Sequence, residues 1–232
     1  MDAVVMAAGL GTRLRPLTER WAKPVLPIDG RPVIATLLRE LAAAECERVW
    51  VVTGHLAEQV EGIVGDGSAF GVAVRFVRQP GVLGSADAVK RALDDGAPVP
   101  VVVSAADTVF GRADVARFAA GFAETAAAGA VAIRTKPGAG AGRTAVGREG
   151  ARIVRMRDDD PAAAWTPAPL WGLGAGVAER LCLDRPPYEL ENAFQSAIDA
   201  GEAVMAVEIG KTRDLTDPLD LVEENFPYLR GT

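Results

Sequence analysis

Near its amino terminus the chain gathers small residues, hydroxyls and cations into one run: Met6-Ala7-Ala8-Gly9-Leu10-Gly11-Thr12-Arg13-Leu14-Arg15-Pro16-Leu17-Thr18, followed closely by Trp21-Ala22-Lys23-Pro24. Ala7, Ala8, Gly9 and Gly11 leave the backbone bare enough for its amides to approach an anion. With the Thr12 hydroxyl and the charges of Arg13 and Lys23, those amides make a cradle for phosphates. The run is neither of two common phosphate loops. The third glycine of the dinucleotide fingerprint is replaced by Leu14 or Arg15, and the Gly-Lys-Ser/Thr ending of a Walker A loop is absent. Gly-x-Gly alone marks only a tight turn, so the weight rests on the whole string. A carboxylate, Asp107, follows a second apolar run and faces the same edge as the glycine loop. Magnesium favours one or two carboxylates plus phosphate oxygens and water, which suits Asp107; the plain alternative is an aspartate capping the Thr108–Ala113 turn.

The elements that must hold these groups alternate. Strands are expected at Ala3–Ala7, Arg48–Thr53, Val72–Arg78 and Pro100–Ser104. Helices are expected between them at Pro32–Ala44, where Val33, Ile34, Leu37, Leu38 and Leu41 share one face, at Leu56–Val64 and at Ser85–Leu93. This order implies right-handed crossovers and a mainly parallel, three-layer sheet with its site at the carboxyl edge. The second half is less regular: a helix at Ala113–Ala128, a strand at Ala130–Thr135, a loop at Lys136–Arg143, a hairpin from Thr144–Gly147 and Arg152–Met156, and an exposed loop at Asp158–Pro169. A helix at Tyr188–Ala200, a strand at Ala203–Ile209 and a helix at Pro218–Phe226, with Asp217 as its N-cap, complete the chain. No linker divides it, so residues 1–232 read as one domain, in two halves at 1–110 and 111–232.

The string from Met6 to Pro32 resembles the signature of the sugar-phosphate nucleotidyltransferases (nucleoside-diphosphate-sugar pyrophosphorylases), L-A-A-G-x-G-T-R-L-x-P-L-T, then K-P, then P-I-x-G-x-P, the last of which reads Pro27-Ile28-Asp29-Gly30-Arg31-Pro32 here. The resemblance implies an α/β, Rossmann-like three-layer α/β/α nucleotidyltransferase fold with a mainly parallel central sheet. It also implies attack by a phosphate oxygen on the α-phosphorus of a nucleoside triphosphate, with pyrophosphate leaving. Arg13 is then assigned to the β/γ-phosphates and Lys23 to the α-phosphate or the attacking phosphate, as the catalytic pair. Gln79-Pro80-Gly81-Val82-Leu83-Gly84-Ser85-Ala86-Asp87-Ala88 resembles the family's Q-x-x-x-L-G-T-A-x-A element, which contacts the base. Gln79 has both a donor and an acceptor for a base edge, Gly84 admits the ring, and Ser85 keeps a hydroxyl while also suiting a helix N-cap. Asp214, in Arg213-Asp214-Leu215-Thr216-Asp217-Pro218, resembles the second metal aspartate of W-x-D-I-G-T-P, although the tryptophan is absent.

The acceptor side departs most from the pattern. Where many sugar-acting members carry Glu-Lys-Pro, this chain has Arg157-Asp158-Asp159-Asp160-Pro161. Leu170–Gly176 loosely resembles the glycine-rich strand bordering the sugar, and Glu189 and Glu191 a loop near it, although acids also suit a helix start. Gly147, Gly174 and Glu189 are the acceptor-binding candidates. The run Arg148, Arg152, Arg155, Arg157 suits a solvated hairpin face or an acceptor phosphate. His55, the single histidine, is read as structural, because a phosphate nucleophile needs no general base.

The resulting expectation is a Mg²⁺-dependent enzyme that takes a nucleoside triphosphate and a phosphorylated small-molecule acceptor, a sugar-1-phosphate first. The alternatives are a cytidylyltransferase for a phospho-alcohol or phosphonate, and a catalytically silent nucleotide-sugar-binding regulator. A net charge of −6 argues against a nucleic-acid groove or an anionic membrane surface. No apolar stretch approaches a membrane span, and the acidic first residues run directly into the motif, so a cytoplasmic protein is expected. Cys46 and Cys182 are expected as buried thiols of a reducing compartment. Self-association into a homo-oligomer is left open.

Overall fold

The computed structural model describes residues 1–136, 139, 145–184 and 186–226. The first half follows the predicted alternation: β1 (Asp2–Ala7), the short pair β2 (Pro27–Ile28) and β3 (Arg31–Pro32), α1 (Val33–Ala43), β4 (Arg48–Thr53), α2 (Ala57–Val64), β5 (Ala73–Arg78), α3 (Ser85–Asp94) and β6 (Val101–Ala105). Then come β7 (Thr108–Val109), α4 (Asp114–Ala123), β8 (Gly129–Thr135), β9 (Ala145–Glu149), β10 (Arg152–Asp158) and β11 (Trp165–Leu173). The last elements among the described residues are α5 (Ala175–Ala178), α6 (Leu190–Asp199), β12 (Val204–Glu208), β13 (Arg213–Asp214) and α7 (Pro218–Asn225).

One nine-stranded sheet, in the order β5-β4-β1-β6-β11-β8-β12-β10-β9, runs through both halves of the sequence. Among the described residues seven of its strands point one way and only β10 and β11 are reversed. β1 lies between parallel neighbours β4 and β6, which is why it is apolar on both faces. Its alternation sends Val5 and Val4 to opposite layers. Val5 joins Leu37, Leu38, Phe118 and Phe122 of α1 and α4, while Val4 joins Val89, Leu190 and Phe194 of α3 and α6. Each fully buried side chain of this size contributes about 1.5–3 kcal/mol. This is the three-layer α/β/α architecture expected.

The second half corrects the sequence reading in three places. The segment read as an exposed loop over Asp158–Pro169 is strand at both ends, since β10 runs to Asp158 and β11 begins at Trp165. Pro167 and Pro169 disguised β11; they donate no ladder hydrogen bond, and the pairing with β8 shifts register between Pro167 and Trp171. The α4 helix stops at Ala123, and Gly129 already belongs to β8. Most of the expected Lys136–Arg143 loop, and Thr144 of the expected hairpin, lie outside the described residues. Cys46 is buried, and burial pushes its thiol up to about 11, but Cys182 is exposed rather than buried. No helix among the described residues is long and apolar enough to cross a membrane.

The segment Arg213–Asn225 folds back on the first half. Asp217 caps α7 in a capping box with Asp220, as predicted, accepting from Leu219 N at 2.8 Å. Arg213 ties α7 to the β2–β3 turn through Asp29, at 2.9 Å from Nη2 to Oδ1, and through the carbonyl of Glu224 at 2.8 Å. The guanidinium holds the Asp29 carboxyl below the usual carboxylate range. A lowered folded-state pKa contributes stability above the unfolded value and loses it as pH falls through the folded one. Arg213→Gln is therefore expected to lower Tm at neutral pH, with the gap to the wild-type protein narrowing below about pH 4 in thermal melts. A gap independent of pH would show that the Asp29 pairing carries none of it.

Candidate active site

The glycine loop is held in shape by residues outside the motif. Gly11 is left-handed at φ 61°, and a Cβ there would lie 2.8 Å from Thr18 Cγ2. Thr18 Oγ1 donates to the Gly11 carbonyl at 2.9 Å, and His55 Nε2 lies 2.8 Å from the Thr18 carbonyl. His55 thus braces the loop, which agrees with a structural histidine. Gln59, on α2, grips the approach to Lys23 from both sides: its Oε1 accepts from Ala22 N at 2.8 Å and its Nε2 donates to the Arg20 carbonyl at 2.8 Å. Nothing in the spacing of the motif pointed to Gln59, because its partners lie 37 and 39 positions away.

Two carboxylates arrive from different parts of the chain. β6 runs parallel to β1 with Ala105 beside Met6, so Asp107 leaves the sheet at the same edge as Ala7. There it ion-pairs with Lys23 rather than capping the turn that follows. β13 pairs with β7 so that Asp214 lies opposite Thr108, 106 positions away in sequence. The Thr108 hydroxyl bridges the acids, 2.7 Å from Asp214 Oδ1 and 3.3 Å from Asp107 Oδ1. Asp214 Oδ2 accepts from Arg134 Nη1 at 2.8 Å and Thr212 Oγ1 at 2.9 Å.

Three adjoining cavities follow this edge. One of about 210 Å³ is lined by Gly9, Gly11, Thr12, Arg13, Lys23 and Asp107. A second, of about 220 Å³, lies over Ala8, Gly9, Gln79, Gly84 and Ser85. The third, of about 570 Å³, shares Arg13, Lys23 and Asp107 with the first and adds Asp214, Arg134 and Glu189. Ala7, buried at the end of β1, lines none of the three. Gly147 and Gly174 are not brought there. Gly147 sits in the outermost strand opposite Arg155, and Gly174 follows the end of β11 that lies beside the start of β6, at the opposite edge of the sheet.

The Gln79 region is more constrained than its sequence suggested. Gln79 is 7% exposed, and Nε2 donates to the Gly84 carbonyl at 3.0 Å and to Asp87 Oδ2 at 2.8 Å. Both amide protons are thereby spent, so the group faces the cavity as an acceptor alone rather than as both donor and acceptor. Asp87, itself gripped by Arg91 at 2.7 Å, sets that orientation; the sequence reading passed over it. Gly84 is the N-cap of α3, so Ser85 is the first helical residue and not the cap. The Ser85 hydroxyl instead accepts from Leu190 N and donates to Glu189, both at 2.8 Å, pinning α6 to α3. A Cβ on Gly84 would lie 2.4 Å from the Tyr188 carbonyl oxygen. Trp171 lines the 570 Å³ cavity, and its indole N–H is the one buried side-chain polar atom without a partner among the described residues.

Among the described residues no three His, Cys, Asp or Glu side chains cluster as a metal cage. The two carboxylates at hand, Asp107 and Asp214, fit a cation that completes its shell with phosphate oxygens and water, which is magnesium's habit.

A glycine-loop phosphate cradle, two carboxylates and an adjoining polar cavity at the carboxyl edge of a three-layer, Rossmann-like sheet define a nucleotide-handling α/β protein. The family model described as nucleotidyl transferase matches residues 2–143, and the chain belongs to that family. It is 42% identical over 89 residues to a glucose-1-phosphate thymidylyltransferase of Streptomyces griseus, a match covering 38% of this chain and 25% of that protein. It is 48% identical over 58 residues to a 2-aminoethylphosphonate cytidylyltransferase of Lancefieldella rimae, covering 25% of this chain and 24% of that one. These matches span about a quarter of each relative's length. A solved UDP-glucose pyrophosphorylase from Acinetobacter baumannii shares the fold at TM-score 0.83 and 20% identity, covering 98% of this chain and 92% of that structure.

Asp87→Asn can turn either an oxygen or an amide toward Gln79 and so frees its amide to flip. A charged hydrogen bond of this kind contributes about 1.5–3 kcal/mol, and 1.4 kcal/mol is tenfold in affinity. The variant is expected to bind triphosphates about tenfold more weakly by calorimetry, with discrimination among bases reduced. Unchanged affinity and unchanged base preference would leave Asp87 as a structural residue only.

Proposed function

We propose that the protein is a magnesium-dependent nucleotidyltransferase that transfers a nucleoside monophosphate from a triphosphate to a sugar-1-phosphate or similar phosphorylated acceptor. The observation that carries this reading is the Lys23–Asp107 ion pair, which joins the glycine loop to the carboxylate edge in the wall shared by two cavities. The small cavity suits a triphosphate tail and the large one an acceptor.

In this reading the Gly9 and Gly11 amides and Arg13 hold the β- and γ-phosphates, and Lys23 stands beside the α-phosphate. An acceptor phosphate oxygen forms the new bond to the α-phosphorus. The bond from that phosphorus to the α–β bridging oxygen breaks, and pyrophosphate departs with the electron pair, so no proton need move. Both partners are anions, and the residues serve mainly to align them and neutralise charge. Magnesium, held by Asp107 and Asp214, supplies further neutralisation of the phosphate oxygens when bound. Gln79 Oε1 accepts from the base, and Glu189 accepts from acceptor hydroxyls. Residues 1–110 serve the nucleotide and 111–232 the acceptor.

A second reading is a cytidylyltransferase for a phospho-alcohol or phosphonate; the likeness to the 2-aminoethylphosphonate enzyme favours it over other acceptors. A pyrophosphate-release screen across four triphosphates, with sugar-1-phosphates and phosphonates as acceptors, separates the two. Turnover confined to phosphonates or phospho-alcohols would sink the first. Asp107→Asn is expected to lower turnover by on the order of 10²–10³ while leaving Tm within a few degrees, given the cost of removing one electrostatic group at a reacting phosphorus. Near-normal turnover would refute the metal assignment.

A further inference from the structure

The reading above brings two phosphates into contact, and each needs a cation of its own. Arg13 and Lys23 line both the 210 Å³ cavity and the 570 Å³ cavity. Two other cations, Arg134 and Arg157, line only the larger one. They are held differently. The Arg157 side chain is 60% exposed, pairs with Glu191 at 3.0 Å, and stands where the cavity continues into an outer one of about 820 Å³. The Arg134 side chain is 26% exposed and stands at the carboxyl end of β8.

β8 reads Gly-Ala-Val-Ala-Ile-Arg-Thr, and its residues from Ala130 to Ile133 are wholly buried. Arg134 follows that buried run directly and is itself only half-buried. It spends one N–H on Asp214 Oδ2 at 2.8 Å, and its other donors are uncommitted among the described residues. From Asp214 a chain of contacts runs through the Thr108 hydroxyl to Asp107 and on to Lys23. Arg134 therefore stands beside the two carboxylates on the acceptor side, while Lys23 meets them from the glycine loop. A partly exposed ion pair by itself contributes only about 0–1 kcal/mol, so stability gives little reason for a guanidinium here. A planar fork aimed by Asp214 is suited to gripping two oxygens of one phosphate.

We propose that Arg134 is the residue that binds the acceptor's phosphate, holding it in the large cavity for attack on the α-phosphorus. The assignment rests on the nucleotidyl-transfer reading but on no particular base or acceptor.

The test loads the protein with Mg²⁺ and an α,β-methylene triphosphate, which cannot react, choosing the base that binds the wild-type protein most tightly. Inorganic phosphate is then titrated in by calorimetry; the occupied triphosphate site leaves the acceptor site as its place to bind. The wild-type complex is expected to take up phosphate. Arg134→Gln should weaken that binding about tenfold or more, which is about 1.4 kcal/mol. Arg134→Lys, which keeps the charge but not the fork, should fall between them. Affinity for the triphosphate analogue should change less than about twofold in either variant, since the charge lost lies outside the triphosphate pocket. With an acceptor from the screen, the same variants should raise the acceptor's KM and spare that of the triphosphate.

Equal phosphate binding in Arg134→Gln overturns the assignment, as does a wild-type complex that takes up no phosphate. Joint weakening of phosphate and triphosphate also overturns it, because that is the signature of a residue that merely supports Asp214. Should the glutamine variant fail to fold, the lysine variant decides: unchanged phosphate affinity would count against the fork. A wild-type protein that binds no triphosphate analogue would overturn the nucleotidyl-transfer reading itself, a result distinct from all of these.

Discussion

The Lys23–Asp107 ion pair joins the loop after the first strand to the carboxylate beyond β6. Its geometry depends on the parallel pairing of β1 with β6, which sends both strands to the same edge. It depends also on Gln59 and His55, which hold the approach to Lys23 and the Gly11–Thr18 loop. The other site groups are arranged around this pair. Asp214 reaches Asp107 through Thr108, and Arg134 reaches Asp214.

Alternation of charge around the large cavity follows from that constraint. Every carboxylate that lines it among the described residues has a partner: Asp107 has Lys23, Asp214 has Arg134, Glu191 has Arg157 and Glu189 has the Ser85 hydroxyl. A carboxylate left alone at a partly buried edge would be costly, and these pairs hold each one in place until a ligand arrives. On the proposed reaction, incoming phosphates exchange with these partners, so the cations are pre-positioned instead of being gathered from solvent.

The Gln79 region shows the same economy with hydrogen bonds. Asp87 and the Gly84 carbonyl take both amide protons of Gln79, and Ser85 joins α3 to the start of α6. One side of the 220 Å³ cavity is thus defined by groups whose donors and acceptors are already assigned.

By itself the sequence determined the glycine loop, the alternating elements of the first half, the family and the cap of α7. These are local facts: helical and strand periodicities, bare backbone at Gly9 and Gly11, and a proline after Asp217 can be read within a few residues. The candidate set Arg13, Lys23, Gln79, Ser85, Asp107 and Asp214 was legible for the same reason, since each residue sits in a short motif. Only the tertiary structure decided what those groups touch. The strand hidden by Pro167 and Pro169, the exclusion of Gly147 and Gly174 from the cavity, and the partners Gln59, Asp87 and Arg134 all depend on register and on contacts across many tens of residues. A hydrogen bond or ion pair between segments that far apart leaves no period in the sequence; it exists only once the sheet has brought their ends to one edge.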